Sequence, residues 1–151
     1  MSALQLSGKL ILLVEDNADD EELTLRALRQ AKIANDIVIA RDGRQALDYL
    51  FAEGGEAGRD RSRMPAVVLL DLKLPKISGL EVLQRMRADE RTKLVPVVVL
   101  TSSSEEKDMV RSYTLRANSY VRKPVEFGAF ATSVSQLGMY WMLFNQPPPG
   151  V

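Results

Sequence analysis

The chain contains neither cysteine nor histidine. Without thiols there is no disulfide framework and no cysteine-based zinc site, and without imidazole the commonest general base is missing. Net charge is absent as well, because 20 Lys and Arg balance 20 Asp and Glu. A balanced surface offers no broad basic field, so no nucleic acid is expected as a partner. No apolar run approaches the ~20 residues of a membrane span, and residues 1–8 lack the basic, apolar and small-residue succession of a leader. These absences lead to the expectation of a cytoplasmic protein without a membrane segment. What is present suits one globular domain: 151 residues, 46% of them apolar and arranged in periodic runs.

Those runs alternate between two periods. Short stretches rich in Val, Leu and Ile fill 10–14, 66–70 and 96–100, each stopping at a polar residue, as strands buried on both faces of a parallel sheet do. Weaker strand patterns occupy 37–40 and 119–121. A helix is predicted over 19–32, where Leu23, Ala27 and Ala31 form a stripe beside Leu25 and Leu28. A second, over 43–52, presents Ala46, Leu47, Leu50 and Phe51. Ser78 followed by Glu81 is a capping box ahead of Leu80, Leu83 and Met86, and Ser103 followed by Glu106 repeats it ahead of Met109, Val110 and Tyr113. A last helix is expected from near Val125. Repeated strand–helix units of this kind predict an α/β fold, a doubly wound five-stranded parallel sheet. The domain is expected over 9–144, with an N-terminal extension (1–8), a long Gly- and Arg-rich loop before the third strand (52–65) and a Pro-rich tail (145–151).

The chemistry sits at the strand ends. The first strand runs into Glu15 and Asp16, the third into Asp71, the fourth into Thr101, and the fifth into Lys123 and Pro124. In a parallel sheet these positions converge on one edge, outside the carboxyl ends of the strands, where such folds bind ligands. Three crowded carboxylates need a cation at neutral pH, and an all-oxygen donor set suits a hard one such as Mg²⁺. A carboxylate such as Asp71 can also act as a nucleophile and form an acyl phosphate. The Thr101 hydroxyl and Lys123 ammonium are apt for the oxygens of a transferring phosphoryl group. A Lys-Pro bond directly after the last strand makes Pro124 a cis-proline candidate, the alternative being an ordinary proline in the first turn of a helix.

These residues also form a known set. The runs ILLVEDN, VVLLDLKLPKISGLEVL, VVVLTSS and NSYVRKP, within a stretch covering 9–143, make the chain similar to the receiver domains of response regulators in two-component signalling. The resemblance, to a CheY-like domain, implies a flavodoxin-like (βα)5 fold with strand order 2-1-3-4-5. It implies Asp71 as phosphoacceptor and Glu15 and Asp16 as the acidic pair for Mg²⁺, Asp16 being the direct ligand. It also implies the backbone carbonyl of Lys73 as a further ligand, Thr101 and Tyr120 as a switch pair, and Lys123 as the lysine that contacts the phosphoryl group. The implied donor is a sensor histidine kinase, since the chain has no histidine of its own to phosphorylate. The runs VVVLTSSSEEKDMVRSY and NSYVRKPVEFGAF resemble those of small regulators paired with bacterial phytochromes. No effector segment follows in this sequence, so output is expected through a downstream protein or a phosphorelay partner. Turnover of a separate substrate is not expected. Lys73 departs from the subgroup, which more often has a polar neutral residue two positions after the acceptor.

The last predicted helix has a second message. Phe127, Phe130, Val134, Leu137, Trp141 and Phe144 recur at three and four, the spacing of one buried stripe. Met139, Tyr140, Met142 and Leu143 then make its final turns apolar nearly all round. Contiguous apolar surface marks an interface, and a homodimer through Phe130, Met139, Tyr140, Met142 and Leu143 is expected. The alternative function is a receiver-like interaction module that keeps the fold and takes no phosphate. A phosphatase of the haloacid dehalogenase type is disfavoured by Lys73, which stands where its general acid is needed. A dinucleotide-binding module would need a Gly-rich turn after the first strand, and Glu15-Asp16 stands there.

Overall fold

The computed structural model describes residues 10–30, 36–54, 64–102 and 105–123, together with Ala129, Thr132, Gln136, Tyr140, Trp141 and Gln146. Five parallel strands, β1 (Leu10–Val14), β2 (Asp36–Ala40), β3 (Val67–Leu70), β4 (Val97–Thr101) and β5 (Ser119–Arg122), form one sheet in the order β2-β1-β3-β4-β5. Each strand limit lies within one residue of its expected place. Helices α1 (Ala18–Gln30), α2 (Gly43–Phe51), α3 (Gly79–Ala88) and α4 (Glu106–Thr114) make the crossovers. This is the doubly wound, flavodoxin-like arrangement that the alternation and the resemblance implied.

Alternate strand residues point to opposite faces, so each strand feeds two cores. On one face Leu10, Leu12, Val14, Val68, Leu70, Val97 and Val99 pack with Ala46, Leu47 and Leu50 of α2 and Val82, Leu83 and Met86 of α3. On the other, Ile11, Leu13, Leu69, Val98 and Leu100 pack with Ala27 and Leu28 of α1 and with Trp141. Every residue of β1 and β4 is buried, whereas the edge strands β2 and β5 are mostly half-buried. That difference explains why the edge strands read weakly in the sequence.

Local signals place the helix ends. Asn17 accepts the Asp20 amide at 3.0 Å, and Asp19, Asp20 and Glu21 set negative charge on the first turn of α1. Asp42 caps α2 by accepting from the Gln45 amide at 2.7 Å, and Ala52 closes that helix in the left-handed region. Ser78 caps α3 as expected, accepting from the Glu81 amide at 3.2 Å.

The second expected capping box falls partly outside the described residues. Helix α4 starts at Glu106 with Glu105 at its cap and no side-chain cap bond, and Ser103 lies outside the described residues. Acidic Glu106 and Asp108 in the first turn answer the helix dipole instead. The apolar residues that marked this helix are also not its buried face. Met109, Val110 and Tyr113 are 41%, 58% and 51% exposed, while Ser112 is the residue that α4 buries. Of the expected last helix, Ala129, Thr132 and Gln136 are helical and exposed. Ala31, Pro124, Val125, Phe127, Phe130, Val134, Leu137, Met139, Met142, Leu143 and Phe144 lie outside the described residues, as do 55–63 of the long loop.

At the amino ends of β4 and β5, opposite the acidic edge, Arg87 ties two loops together. Its guanidinium donates to the carbonyls of Val95 at 2.8 Å and Lys93 at 3.1 Å in one loop, and to that of Arg116 at 2.9 Å in the other. Asn118 completes the tie by accepting the Val97 amide at 2.8 Å.

Candidate phosphoryl-acceptor site

The sheet ladder runs on past the strands into the loops that carry the acids and the lysine. The Glu15 amide donates to the carbonyl of Ala40 (3.0 Å), Asp71 to Val14 (3.1 Å) and Lys123 to Thr101 (2.7 Å). Each functional residue is therefore held by one further rung, and its side chain leaves the sheet edge in a fixed direction. Gly79 brings α3 close beneath Asp71, with its amide on the Leu72 carbonyl at 2.9 Å.

Asp71 is the centre of the arrangement and is only 7% exposed. Its Oδ1 accepts from the Thr101 hydroxyl at 2.9 Å and from the Lys73 amide at 3.2 Å, and its Oδ2 accepts from Lys123 Nζ at 3.0 Å. The same ammonium also reaches Glu15 Oε1 at 2.5 Å and Asp20 Oδ2 at 2.8 Å. All three of its protons are thereby matched by carboxylates. For Lys123 the largest single influence is burial, which disfavours the charged form. Hydrogen bonds to Asp20 and Glu15, with the charges of Asp71 and Glu15, outweigh it, and the net shift is upward. Burial pushes the Glu15 carboxyl up to about 7 against the pull of Lys123, and the neighbouring charge of Asp71 adds to the rise.

Among the described residues, Glu15, Asp20 and Asp71 share the Lys123 ammonium and Asp16 adds a further carboxylate beside them, so carboxylates outnumber the cations bonded to them. Glu15, Asp16 and Asp71 each offer a carboxylate oxygen within 4.8 Å of the others. An all-oxygen set at that separation fits a divalent hard cation, which would supply the missing charge. Asp16 is the exposed member of the group.

The expected residues thus meet in one place: Glu15, Asp16, Asp71, Thr101 and Lys123 share the edge, although they are far apart in sequence. The Thr101 hydroxyl already lies on Asp71. Tyr120 is half-buried against the α2–α3 core, neither wholly inward nor wholly outward. Pro124 lies outside the described residues, which leaves the geometry of its peptide bond undescribed. One participant was missed. Asp20 sits one helical turn beyond Asp16, a spacing that could have placed it on the same edge once α1 was drawn from Asp19.

Comparison with known proteins follows the same lines. Residues 11–135 match the response regulator receiver domain family. Among curated proteins, the probable methanogenesis regulatory protein FilR2 of Methanothrix harundinacea is 43% identical over 92% of this chain and 87% of its own. Response regulator Rcp1 of Synechocystis is 37% identical, covering 89% of each chain. The crystal structure of the Mn²⁺-bound form of Rcp1 superposes with a TM-score of 0.86 at 36% identity, covering 93% of this chain and 99% of that one. The phosphorylated cyanobacterial phytochrome response regulator RcpA gives 0.86 at 38%, covering 93% and 98%. The bacteriophytochrome response regulator RtBRR gives 0.75 at 54%, covering 94% and 85%. With the sheet order, the acidic edge and the Thr101–Asp71–Lys123 contacts in hand, the chain belongs to the response regulator receiver domains of two-component signalling.

Proposed function

We propose that this receiver takes a phosphoryl group on Asp71 from the phosphohistidine of a sensor kinase, with Mg²⁺ at Glu15, Asp16, Asp71 and the Lys73 carbonyl. The observation that carries this reading is the Asp71 carboxylate itself, buried yet met by a hydroxyl and an ammonium at 2.9 and 3.0 Å. An Asp71 oxygen attacks phosphorus, the P–O bond forms as the P–N bond breaks, and the departing imidazole takes a proton from solvent. The metal ion, when bound, offsets charge on the carboxylates and on the entering phosphoryl oxygens. Thr101 and Lys123 then turn from the carboxylate to those oxygens. No separate substrate is turned over. Thr101 and Tyr120 form the proposed switch pair, and the position of Tyr120 sets the affinity of the α4–β5 face for a downstream protein.

Similarity to RcpA and RtBRR supports a phytochrome kinase as the donor, and a donor that draws its phosphoryl group from ATP fits an encounter in the cytoplasm. Among the described residues no helix is long and apolar enough to cross a membrane. The receiver spans 9–144, flanked by the 1–8 extension and the 145–151 tail, with 52–65 as a surface loop. A phosphotransfer profile against the host's sensor kinases tests the reading. Fast transfer from a phytochrome kinase is expected, and no acceptance from any kinase or from acetyl phosphate overturns it. The rival, a receiver-like module without phosphate chemistry, is disfavoured because Asp71 is in contact with Thr101 and Lys123, and Glu15 and Asp16 lie within 4.8 Å of it.

We extend the reading to a homodimer through Phe130, Met139, Tyr140, Met142 and Leu143. Tyr140 is 50% exposed beside the buried Trp141, and α4 adds exposed Met109, Val110 and Tyr113. Sedimentation at micromolar concentration is expected to give a dimer; a monomer both with and without beryllofluoride removes this assignment. Lys73 supplies an exposed cation next to the acceptor, its amide already on Asp71. That cation stabilises the phosphoryl dianion, so Lys73→Asn is expected to shorten the acyl-phosphate lifetime about threefold, the scale of an exposed charge pair. Equal dephosphorylation rates would remove the role.

A further inference from the structure

Helix α4 runs from the acceptor edge back to the opposite edge of the sheet. Its amino end follows Thr101, whose hydroxyl is on Asp71, and its carboxyl end leads into β5. With nine residues it is too short to be stable alone, and Ser112 is the one residue it buries. Its carboxyl end is held by a set of bonds to the neighbouring loops. Arg116 lies in the left-handed region (φ 66°), and the amides of Arg116 and Ala117 close the last turn on the carbonyls of Tyr113 and Ser112, both at 2.9 Å. The Arg116 carbonyl then accepts from both Nε and Nη2 of Arg87, at 3.2 and 2.9 Å. Nη1 of the same guanidinium holds Val95 and Lys93 on the loop that enters β4, and Arg116 Nη2 returns a bond to the Arg87 carbonyl at 3.2 Å. A planar guanidinium can span both loops; an ammonium, with a single donor atom, cannot.

We infer that Arg87 is a positioning residue for the α4–β5 face, the pin about which α4 pivots when the acceptor edge changes. The inference rests on the proposed phosphoacceptor role of Asp71 and assigns the fixed point of the response. Phosphorylation alters the bonds of Thr101 at the far end of α4, roughly 13 Å from the pin at the helical rise per residue. A displacement entering there swings Met109, Val110 and Tyr113, the exposed apolar side of the helix. Residues 115–117 stay with the loops that Arg87 joins. Without the pin the same input moves the whole helix, and the face loses a defined second position.

Arg87→Met keeps the aliphatic stem and removes every donor; Arg87→Lys keeps the charge and cannot span both loops. The experiment follows backbone amides of the full chain by ¹⁵N NMR and hydrogen exchange with saturating Mg²⁺, before and after beryllofluoride, a phosphoryl mimic. In wild type the mimic is expected to move the signals of 106–110 and to leave those of 115–117 in place. In both variants the Ala117 amide is expected to exchange about tenfold faster, the scale of one lost hydrogen bond to a charged group. Leu69 and Val98 in the strand interiors stay unchanged, and the mimic now moves 115–117 as well. A merely structural Arg87 would speed exchange without altering where those shifts fall, so variants with the wild-type pattern overturn the inference. Wild type that binds the mimic with 115–117 moving as far as 106–110, or with 106–110 still, overturns it too, even if neither variant folds. Wild type that does not bind the mimic overturns the phosphoacceptor reading beneath it.

Discussion

Asp71→Asn is expected to take up no phosphate from a sensor kinase or from acetyl phosphate, while remaining folded. The amide matches the carboxylate in size, and its oxygen can still accept the Thr101 hydroxyl that now lies 2.9 Å from Oδ1. What it lacks is an anionic oxygen able to form an acyl phosphate. The change also removes one of the three carboxylates grouped within 4.8 Å, so Mg²⁺ binding weakens in the same variant. Lys123 keeps Glu15 and Asp20 and stays charged. Incorporation of labelled phosphate, followed by acid- and base-stability of the product, reads the result. Label retained at the wild-type level would move the acceptor to another carboxylate, with Asp16 the first to test.

Gly79→Ala is expected to damage the same site through the backbone. A Cβ at Gly79 would stand 2.1 Å from the Asp71 carbonyl oxygen and 2.7 Å from Leu72 Cα. Neither atom belongs to a side chain that can swing away. The helix cannot slip outward either without losing the Gly79 amide bond to Leu72. Overpacking of this kind costs about 3 kcal/mol at its upper range. The strain falls on the residue that carries the acceptor, so beryllofluoride affinity should drop together with the urea midpoint. A variant with unchanged midpoint and unchanged affinity would show that α3 is less tightly seated than its contacts imply.

Much of this was open to a reading of the sequence, for reasons that differ by element. β1, β3 and β4 are buried along their length, so their apolar runs are dense and end sharply, and the end residues named the site. β2 and β5 face a half-solvated edge, and their patterns are correspondingly thin. Ser78 capped its helix because Gly79 lets α3 start immediately against the Asp71 loop. Ser103 followed the same local rule, yet α4 begins beyond it, after Glu105. Helix α4 misleads further, since it turns Ser112 inward and leaves Met109, Val110 and Tyr113 outside. Periodicity reports that a helix is amphipathic but not which surface its apolar side will meet. Asp20 escaped notice because its partner Lys123 is 103 positions away and only the closed sheet brings them together.

The additional ladder rung at Glu15, Asp71 and Lys123 has a consequence for how the protein fails. Functional loops commonly open on their own, well before the body of a domain does. Here the reacting groups are anchored to the central strands themselves, so fraying them means parting β1 from β2 and β3, and β5 from β4. Competence to accept phosphate and the integrity of the sheet are then lost in a single cooperative event. Slow amide exchange at Glu15, Asp71 and Lys123, matching that of the strand interiors, is the signature of a receiver that is either whole or silent.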